Sequence, residues 1–403
     1  MKLLYITPLY PSEADPMQGI MIQELAYALR DVGVDLRLVA LDGSLAWPFC
    51  RLNRYRYEPA KGCVKKHPWI LKYDVRTWPR NFAITLRAQI WGRIIARRVQ
   101  ETWPDFRPDI VHGRTFIPGS IIANCIARSF KCPMVVSTHG ADTRELIERI
   151  ESRIAILRMC RDMPAVICVG ESVKKRLQQY GAKADNLHVI YNGMNLSKIH
   201  QGPNPLANRY KNNFLVVGVG NLKNTKGFDL LIEAISKLKP LCPDLKGVIV
   251  GGGSEHNKLQ ELINQLSMQE TIELVGAKSS PETMAYMDAC DVFCLPSWSE
   301  GFGIVYLEAM AHGKAVIGVE DQGIANIIRE NKTGILVPPH NASAVAKALK
   351  TLIDEPQTRT QMANRGKSLV YDKFSWQHCA TKLVELYKNV LCTKELPQKK
   401  VLT

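Results

Sequence analysis

Nowhere does the 403-residue sequence hold a run near the ~18–20 consecutive apolar residues of a membrane span, which excludes an integral helical membrane protein. The opening Met1-Lys2-Leu3-Leu4-Tyr5-Ile6-Thr7-Pro8 is too short an apolar run for a secretory leader and ends in proline. A first β-strand is expected there instead. The eleven cysteines include no Cys-x-x-Cys pair, and several, such as Cys168 and Cys294, lie inside apolar strand-like runs. That pattern excludes a disulfide framework or a zinc ribbon and fits buried free thiols in a reducing, cytoplasmic compartment. The nine histidines show no metal-ligand spacing, so neither a metal nor another cofactor is expected. No nucleic-acid motif and no short-period repeat is present.

Acidic residues are scarce in one place. Residues 51–100 hold 13 basic and 2 acidic residues, a net +11 within a chain of +15, whereas residues 201–403 carry only +3. Interleaved with these cations are Tyr55, Tyr57, Trp69, Tyr73, Trp78, Phe82 and Trp91. Cations beside interfacial aromatics fit an anionic membrane surface; the competing reading is a solvated, variable insertion. Residues 82–99 read as a helix whose apolar positions run more than halfway round, so part of it is expected in the core.

What is present is a repeated alternation of short apolar strands and helical stretches. Strands are expected at 3–7, 35–41, 109–112, 133–138, 165–169 and 187–191. A second series follows at 214–218, 247–250, 271–275, 291–295, 315–319 and 334–337. Ile22, Leu25, Ala26, Leu29 and Val32 mark one face of the first helix, which Gly33 ends. Near-continuous apolar strands separated by helices imply parallel sheets covered on both faces. The breaker-rich run Gln201-Gly202-Pro203-Asn204-Pro205 suggests a boundary. The expected domains are 1–202, 203–373, and a C-terminal helix with polar tail at 374–403, the helix packing back on the first domain. In such sheets ligands bind at the carboxyl ends of the strands, so site residues are sought in the loops that follow them.

Three of those loops stand out. After the strand at 291–295 comes Pro296-Ser297-Trp298-Ser299-Glu300-Gly301-Phe302-Gly303, then Glu308-Ala309-Met310-Ala311-His312-Gly313. A helix starting near Gly303 would offer unpaired N–H groups to an anion or to sugar hydroxyls. After 214–218 comes Gly220-Asn221-Leu222-Lys223-Asn224-Thr225-Lys226-Gly227, a lysine in a glycine-flanked turn suited to a diphosphate. After 133–138 comes His139-Gly140-Ala141-Asp142, where a histidine at a strand end can hydrogen-bond a sugar. Taken singly, each of these is as readily a structural residue.

The string Glu-Gly-Phe-Gly-x-x-x-x-Glu-Ala-Met-Ala-x-Gly resembles the signature of retaining glycosyltransferase family 4, of the GT-B fold, and the resemblance spans essentially the whole chain. It implies two Rossmann-like domains whose parallel sheets face one another across a cleft, and sugar transfer from a nucleoside-diphosphate sugar, UDP-linked by preference. It implies that Glu300, Gly301, Phe302 and Gly303 contact the donor sugar and that Glu308 holds the nucleotide ribose. Lys226 would bind the diphosphate, and His139 and, more weakly, Asp142 would face the sugar. Gly19, in the loop after the first strand, would let the backbone approach the donor phosphate or the acceptor. Gly251-Gly252-Gly253 would border the nucleotide. The chain departs from the family pattern at Asn221, where an arginine is expected, and at Asn326, where a glutamate is; Lys223 stands close enough in sequence to replace the lost cation. His112 reads as structural. The acceptor is expected to be lipid-linked or a growing surface polysaccharide, and the protein to lie on the inner face of the cell membrane through residues 51–100, without nucleic acid. A nucleotide-sugar epimerase on the same fold, and an inactive surface-bound partner of an active transferase, are the competing functions.

Overall fold

A computed structural model describes residues 1–11, 19–45, 62–64, 67–77, 84–140, 143, 146–199, 202–300 and 302–393. The chain divides into two compact units, 1–193 with 376–403, and 194–375. Asp142 and Gly301 lie outside the described residues, as do Tyr55, Tyr57, Trp78 and Phe82 of the basic segment.

The first unit is built on eight strands: β1 (Lys2–Thr7), β2 (Asp35–Leu45), β3 (Gly62–Val64), β4 (His67–Thr77), β5 (Ile110–Arg114), β6 (Met134–Thr138), β7 (Val166–Cys168) and β8 (Leu187–Val189). Their order is β3-β4-β2-β1-β5-β6-β7-β8. All neighbours are parallel except the short β3, which runs antiparallel to β4 at the edge. Strand alternation divides the core. Leu4, Ile6, Val39 and Val111 face the layer of helices Ile84–Thr102, Ile121–Phe130 and Ile150–Asp162. Leu3, Tyr5, Leu36 and Leu38 face helices Ile20–Asp31 and Trp376–Cys392. Both faces of each strand are therefore dry, which is why they read as continuous apolar runs.

Two features differ from the sequence expectation. β3 and β4 were not anticipated, because lysines and arginines mask the apolar residues there; yet Trp69, Ile70 and Leu71 are buried, and Trp69 carries the Arg30 guanidinium 4.8 Å above its ring. Part of the basic, aromatic segment is thus sheet core, with Tyr73 also packed edge-on against Trp91 at 5.8 Å. The division between units falls at Gly193/Met194, ahead of the breaker-rich run at 201–205. Met194 bridges Ser375 and donates its N–H to Phe374 at 2.8 Å, so the outgoing and returning segments pair within the second unit. The terminal helix Trp376–Cys392 belongs to the first unit, packed on Ile20–Asp31, with Trp376 Nε1 donating to Glu24 at 2.7 Å.

The second unit is a six-stranded parallel sheet: β9 (Phe214–Val219), β10 (Leu245–Val250), β11 (Ile272–Gly276), β12 (Val292–Cys294), β13 (Ala315–Val319) and β14 (Gly334–Val337), in the order β11-β10-β9-β12-β13-β14. Strand order reverses between β9 and β12. Connections from β9 and β12 therefore leave on opposite sides, opening a crevice at their carboxyl ends.

Candidate active site

The loops after β9 and β12 meet at that reversal point. The β9 loop closes with a short turn, Asn224–Lys226, and then Gly227, whose φ of +68° is the left-handed conformation that glycine tolerates. A side chain there would come within 2.3 Å of the Pro296 carbonyl oxygen, so backbone touches backbone. Ser297 Oγ and the Trp298 N–H both donate to the Thr225 carbonyl, at 3.0 and 3.2 Å. The β10 loop joins them: Leu222 N–H donates to Gly252 at 2.9 Å and Glu255 N–H to Leu222 at 3.0 Å.

These contacts bring Lys226 onto Glu300. The Lys226 ammonium donates to Glu300 Oε2, with the two side chains only 19% and 16% exposed. Glu300 is held on its backbone as well: its N–H donates to Gln322 Oε1 at 3.0 Å, and its carbonyl accepts from the Gly323 N–H at 3.3 Å. Gln322 thus clamps the backbone of Glu300 from 22 residues away, a contact that no local motif signals.

Gly303 caps the helix Ile304–Ala311 with φ +81°, and a side chain on it would strike the Tyr306 ring at 2.7 Å and approach Glu300 at 3.2 Å. Tyr306 is fully buried and donates its hydroxyl to the Leu295 carbonyl, tying the helix to the end of β12; burial, then the Glu300 carboxylate, raises its pKa far above the ordinary value. Phe302 is buried against Phe374, ring centroids 6.2 Å apart. Glu308 lies half-buried on the same helix, and its carbonyl accepts from His312 Nδ1 at 2.8 Å. Asn221 and Lys223 are exposed at the mouth of the β9 loop. Asn326 lies inside the helix Ala325–Asn331, whose N-cap is Ile324, so it does not cap that helix.

His139 and Gly19 belong to the first unit. His139 follows β6 directly, its Nε2 3.3 Å from Ser137 Oγ. Burial, then the Arg114 charge, then His112 hold its pKa well below 6.5, leaving a neutral imidazole at pH 7. Arg114, a buried arginine at the end of β5, drew no attention in the sequence because a single cation in an apolar strand has no motif. His112 is structural: Nδ1 lies 2.6 Å from the Tyr387 hydroxyl, and burial followed by Arg114 drops its pKa to about 3. Gly19 caps the helix Ile20–Asp31 at φ +74°, with its backbone against Leu9 and Tyr10.

Two family models divide the chain in the same way as the fold. Residues 206–369 match the model described as glycosyl transferases group 1, and residues 18–198 match glycosyltransferase family 4. The chain belongs to the group 1 glycosyltransferases. This transferase is 28% identical to the D-inositol 3-phosphate glycosyltransferase of Paenarthrobacter aurescens, covering 98% of this chain and 99% of that protein. It is 27% identical to an uncharacterized glycosyltransferase of Methanocaldococcus jannaschii, over 70% of this chain and 76% of that one. Its fold matches Anabaena HepE in complex with UDP and glucose (TM-score 0.70, 20% identity, 96% of this chain and 100% of that chain). It also matches sucrose-phosphate synthase of Thermosynechococcus elongatus (TM-score 0.76, 19% identity, 98% and 100%). The transferase thus has the GT-B architecture of two parallel-sheet units.

Proposed function

We propose that the transferase moves a hexose-type unit from a nucleoside-diphosphate sugar, UDP-linked by preference, with retention at the anomeric carbon. The observation that carries this reading is the Lys226–Glu300 pair at the strand-order reversal beneath the Gly303 helix start. It joins a fixed cation, a carboxylate and the unpaired N–H groups of a helix end at the place where such sheets bind nucleotides. HepE was crystallised with UDP and with UDP-glucose, which favours uridine. In the proposed reaction the bond from the sugar C1 to the β-phosphate oxygen breaks. The bond from C1 to the acceptor oxygen forms on the same face, and the acceptor's proton passes to the leaving phosphate oxygen. Lys226 and the helix N–H groups offset the charge gathering on that oxygen. In the second unit Glu300 hydrogen-bonds the sugar beside Gly303; roles toward the sugar for Gly301, for the neutral His139 and for Asp142 are proposed on the family pattern. Glu308 takes the ribose, Asn221 borders the diphosphate in the arginine's place, and Gly19 lies on the acceptor side.

For the acceptor we infer a lipid-linked saccharide or growing polysaccharide, reached at the inner face of the cell membrane by a cytoplasmic protein. A relative from Mycolicibacterium smegmatis, 27% identical over 63% of this chain and 69% of that protein, is named as a GDP-mannose-dependent alpha-(1-6)-phosphatidylinositol monomannoside mannosyltransferase, and the cations of residues 51–100 fit an anionic surface. Among the described residues no helix is long and apolar enough to cross a membrane, so attachment would be peripheral. The test is a screen of nucleotide sugars by thermal unfolding, followed by product analysis. The cognate donor at 100 times its Kd stabilises by about 2.7 kcal/mol. NMR of the product should show the donor's anomeric configuration; inversion, or no stabilisation by any nucleotide sugar, would overturn the reading.

A further inference from the structure

Two helices on the same face of the first sheet carry outward stripes of one kind. In Ile84–Thr102 the residues Ala88, Ile95, Ala96 and Val99 point into the core, while Leu86, Ile90 and Ile94 follow one another at four-residue spacing on the solvent side, 59%, 48% and 41% exposed. Arg93, Arg97 and Arg98 are exposed beside them, and the helix has a single acidic residue, Glu101, paired with Arg98 at 3.1 Å. In Ile150–Asp162 the residues Ala155, Ile156, Met159 and Cys160 are buried, and Ile150 and Ile154 stand out at 71% and 49% exposed; Arg149 and Arg158 are exposed around them beside Glu148 and Glu151, and Arg161 pairs with Asp162 at 2.7 Å. Both helices touch the turn Phe116–Ser120 and share one core layer, so their outer stripes face the same way. Among the described residues, nothing within the unit covers these isoleucines on either helix.

We propose that these two helices form one docking face for an anionic bilayer, the aliphatic stripes entering the acyl boundary and the arginines engaging lipid phosphates. This rests on the peripheral-membrane reading above and relocates the contact: part of residues 51–100 is sheet core, while a helix beyond that segment completes the face. The charge argues for lipid over a second copy of this chain. The excess of cations lies on Ile84–Thr102, where Arg93 and Arg97 stand exposed and, among the described residues, only Arg98 pairs with an acid, Glu101; an isologous pairing would set those cations against each other, whereas an anionic surface neutralises them. Apolar stripes flanked by arginine are also the pattern of helices lying in an interface.

The test is flotation of the full chain with phosphatidylcholine vesicles and with vesicles one-third phosphatidylglycerol, at 50 and 300 mM salt. Three variants are compared: Leu86→Ser/Ile90→Ser/Ile94→Ser, Ile150→Ser/Ile154→Ser, and Arg93→Gln/Arg97→Gln/Arg98→Gln. Wild type should float only with anionic vesicles and less at high salt. Both serine variants should lose about tenfold or more in vesicle affinity, and the arginine variant on the order of a hundredfold, near fivefold per cation. Unchanged unfolding midpoints show that the variants are folded. If Ile150→Ser/Ile154→Ser floats like wild type, the two-helix face is overturned while membrane attachment stands. If wild type fails to float, or floats equally with neutral vesicles, membrane attachment by charge falls with it.

Discussion

At Glu300 and Lys226, each side chain keeps the other's charge tolerable in a turn where both are mostly buried. Removing one partner leaves an uncompensated charge beside the site. If Glu300 holds the reacting sugar as proposed, Glu300→Ala is expected to cut kcat about 10²-fold or more. If Glu308 holds the ribose as proposed, Glu308→Ala should raise the donor KM several-fold with kcat little changed, because such a contact is equally strong in ground and transition states. Steady-state kinetics with both variants near wild type would remove the pair from the site. Transfer is also expected to persist in EDTA, with Lys226 supplying the fixed positive charge; loss on chelation, restored by Mg²⁺ or Mn²⁺, would contradict that. His112 predicts a pH effect on stability. Its folded pKa of about 3 lies below the ordinary 6.5, so between those values the unfolded chain binds a proton the folded one refuses. Stability contributed at neutral pH is therefore lost as pH falls below 6.5, up to roughly 1.4 kcal/mol per pH unit from this group. Denaturant unfolding at pH 7 and pH 5 should show a smaller difference for His112→Asn than for wild type.

The elements of the second sheet were legible in the sequence because strands buried on both faces appear as unbroken apolar runs: Leu215, Val216 and Val217 in β9, Val292, Phe293 and Cys294 in β12. β4 was not legible, since Lys72, Asp74 and Arg76 interrupt its apolar residues near the sheet edge. The loops between elements act as a unit, and Gly227 is the tightest joint. Gly227→Ala adds a left-handed strain of about 1–2 kcal/mol and a methyl group against the Pro296 carbonyl. Thermal unfolding should fall, and kcat with it, because the β9 and β12 loops must separate. On the terminal helix, Tyr387→Phe strips the hydroxyl from buried His112 and should cost about 1–3 kcal/mol in chemical denaturation.

At the scale of the molecule, the first unit is not contiguous in sequence. Trp376, Leu383, Leu386, Tyr387 and Val390 return from the C-terminus to cover the face of Leu3, Tyr5, Leu36 and Leu38. Burial stabilises by roughly 1.5–3 kcal/mol for each large side chain, a sum comparable to the 5–15 kcal/mol of a whole domain. A chain ending at Ser375 should therefore be insoluble or show no cooperative unfolding of this unit by circular dichroism. A soluble, cooperatively folding truncation would refute the dependence.

The sequence by itself determined the second strand series and six of the eight strands of the first, the glycines and carboxylates of the 300–313 string, and the lysine ahead of Gly227. Those signals are local: strand periodicity, turn conformation and spacing are written along a few consecutive residues. Tertiary structure alone decided that Gln322 clamps Glu300, that Arg114 and His112 surround His139, and that Trp69 belongs to the core. It also decided that two isoleucine stripes share one face. Each of these joins residues far apart in the chain, and such meetings follow from sheet order, which no single segment encodes.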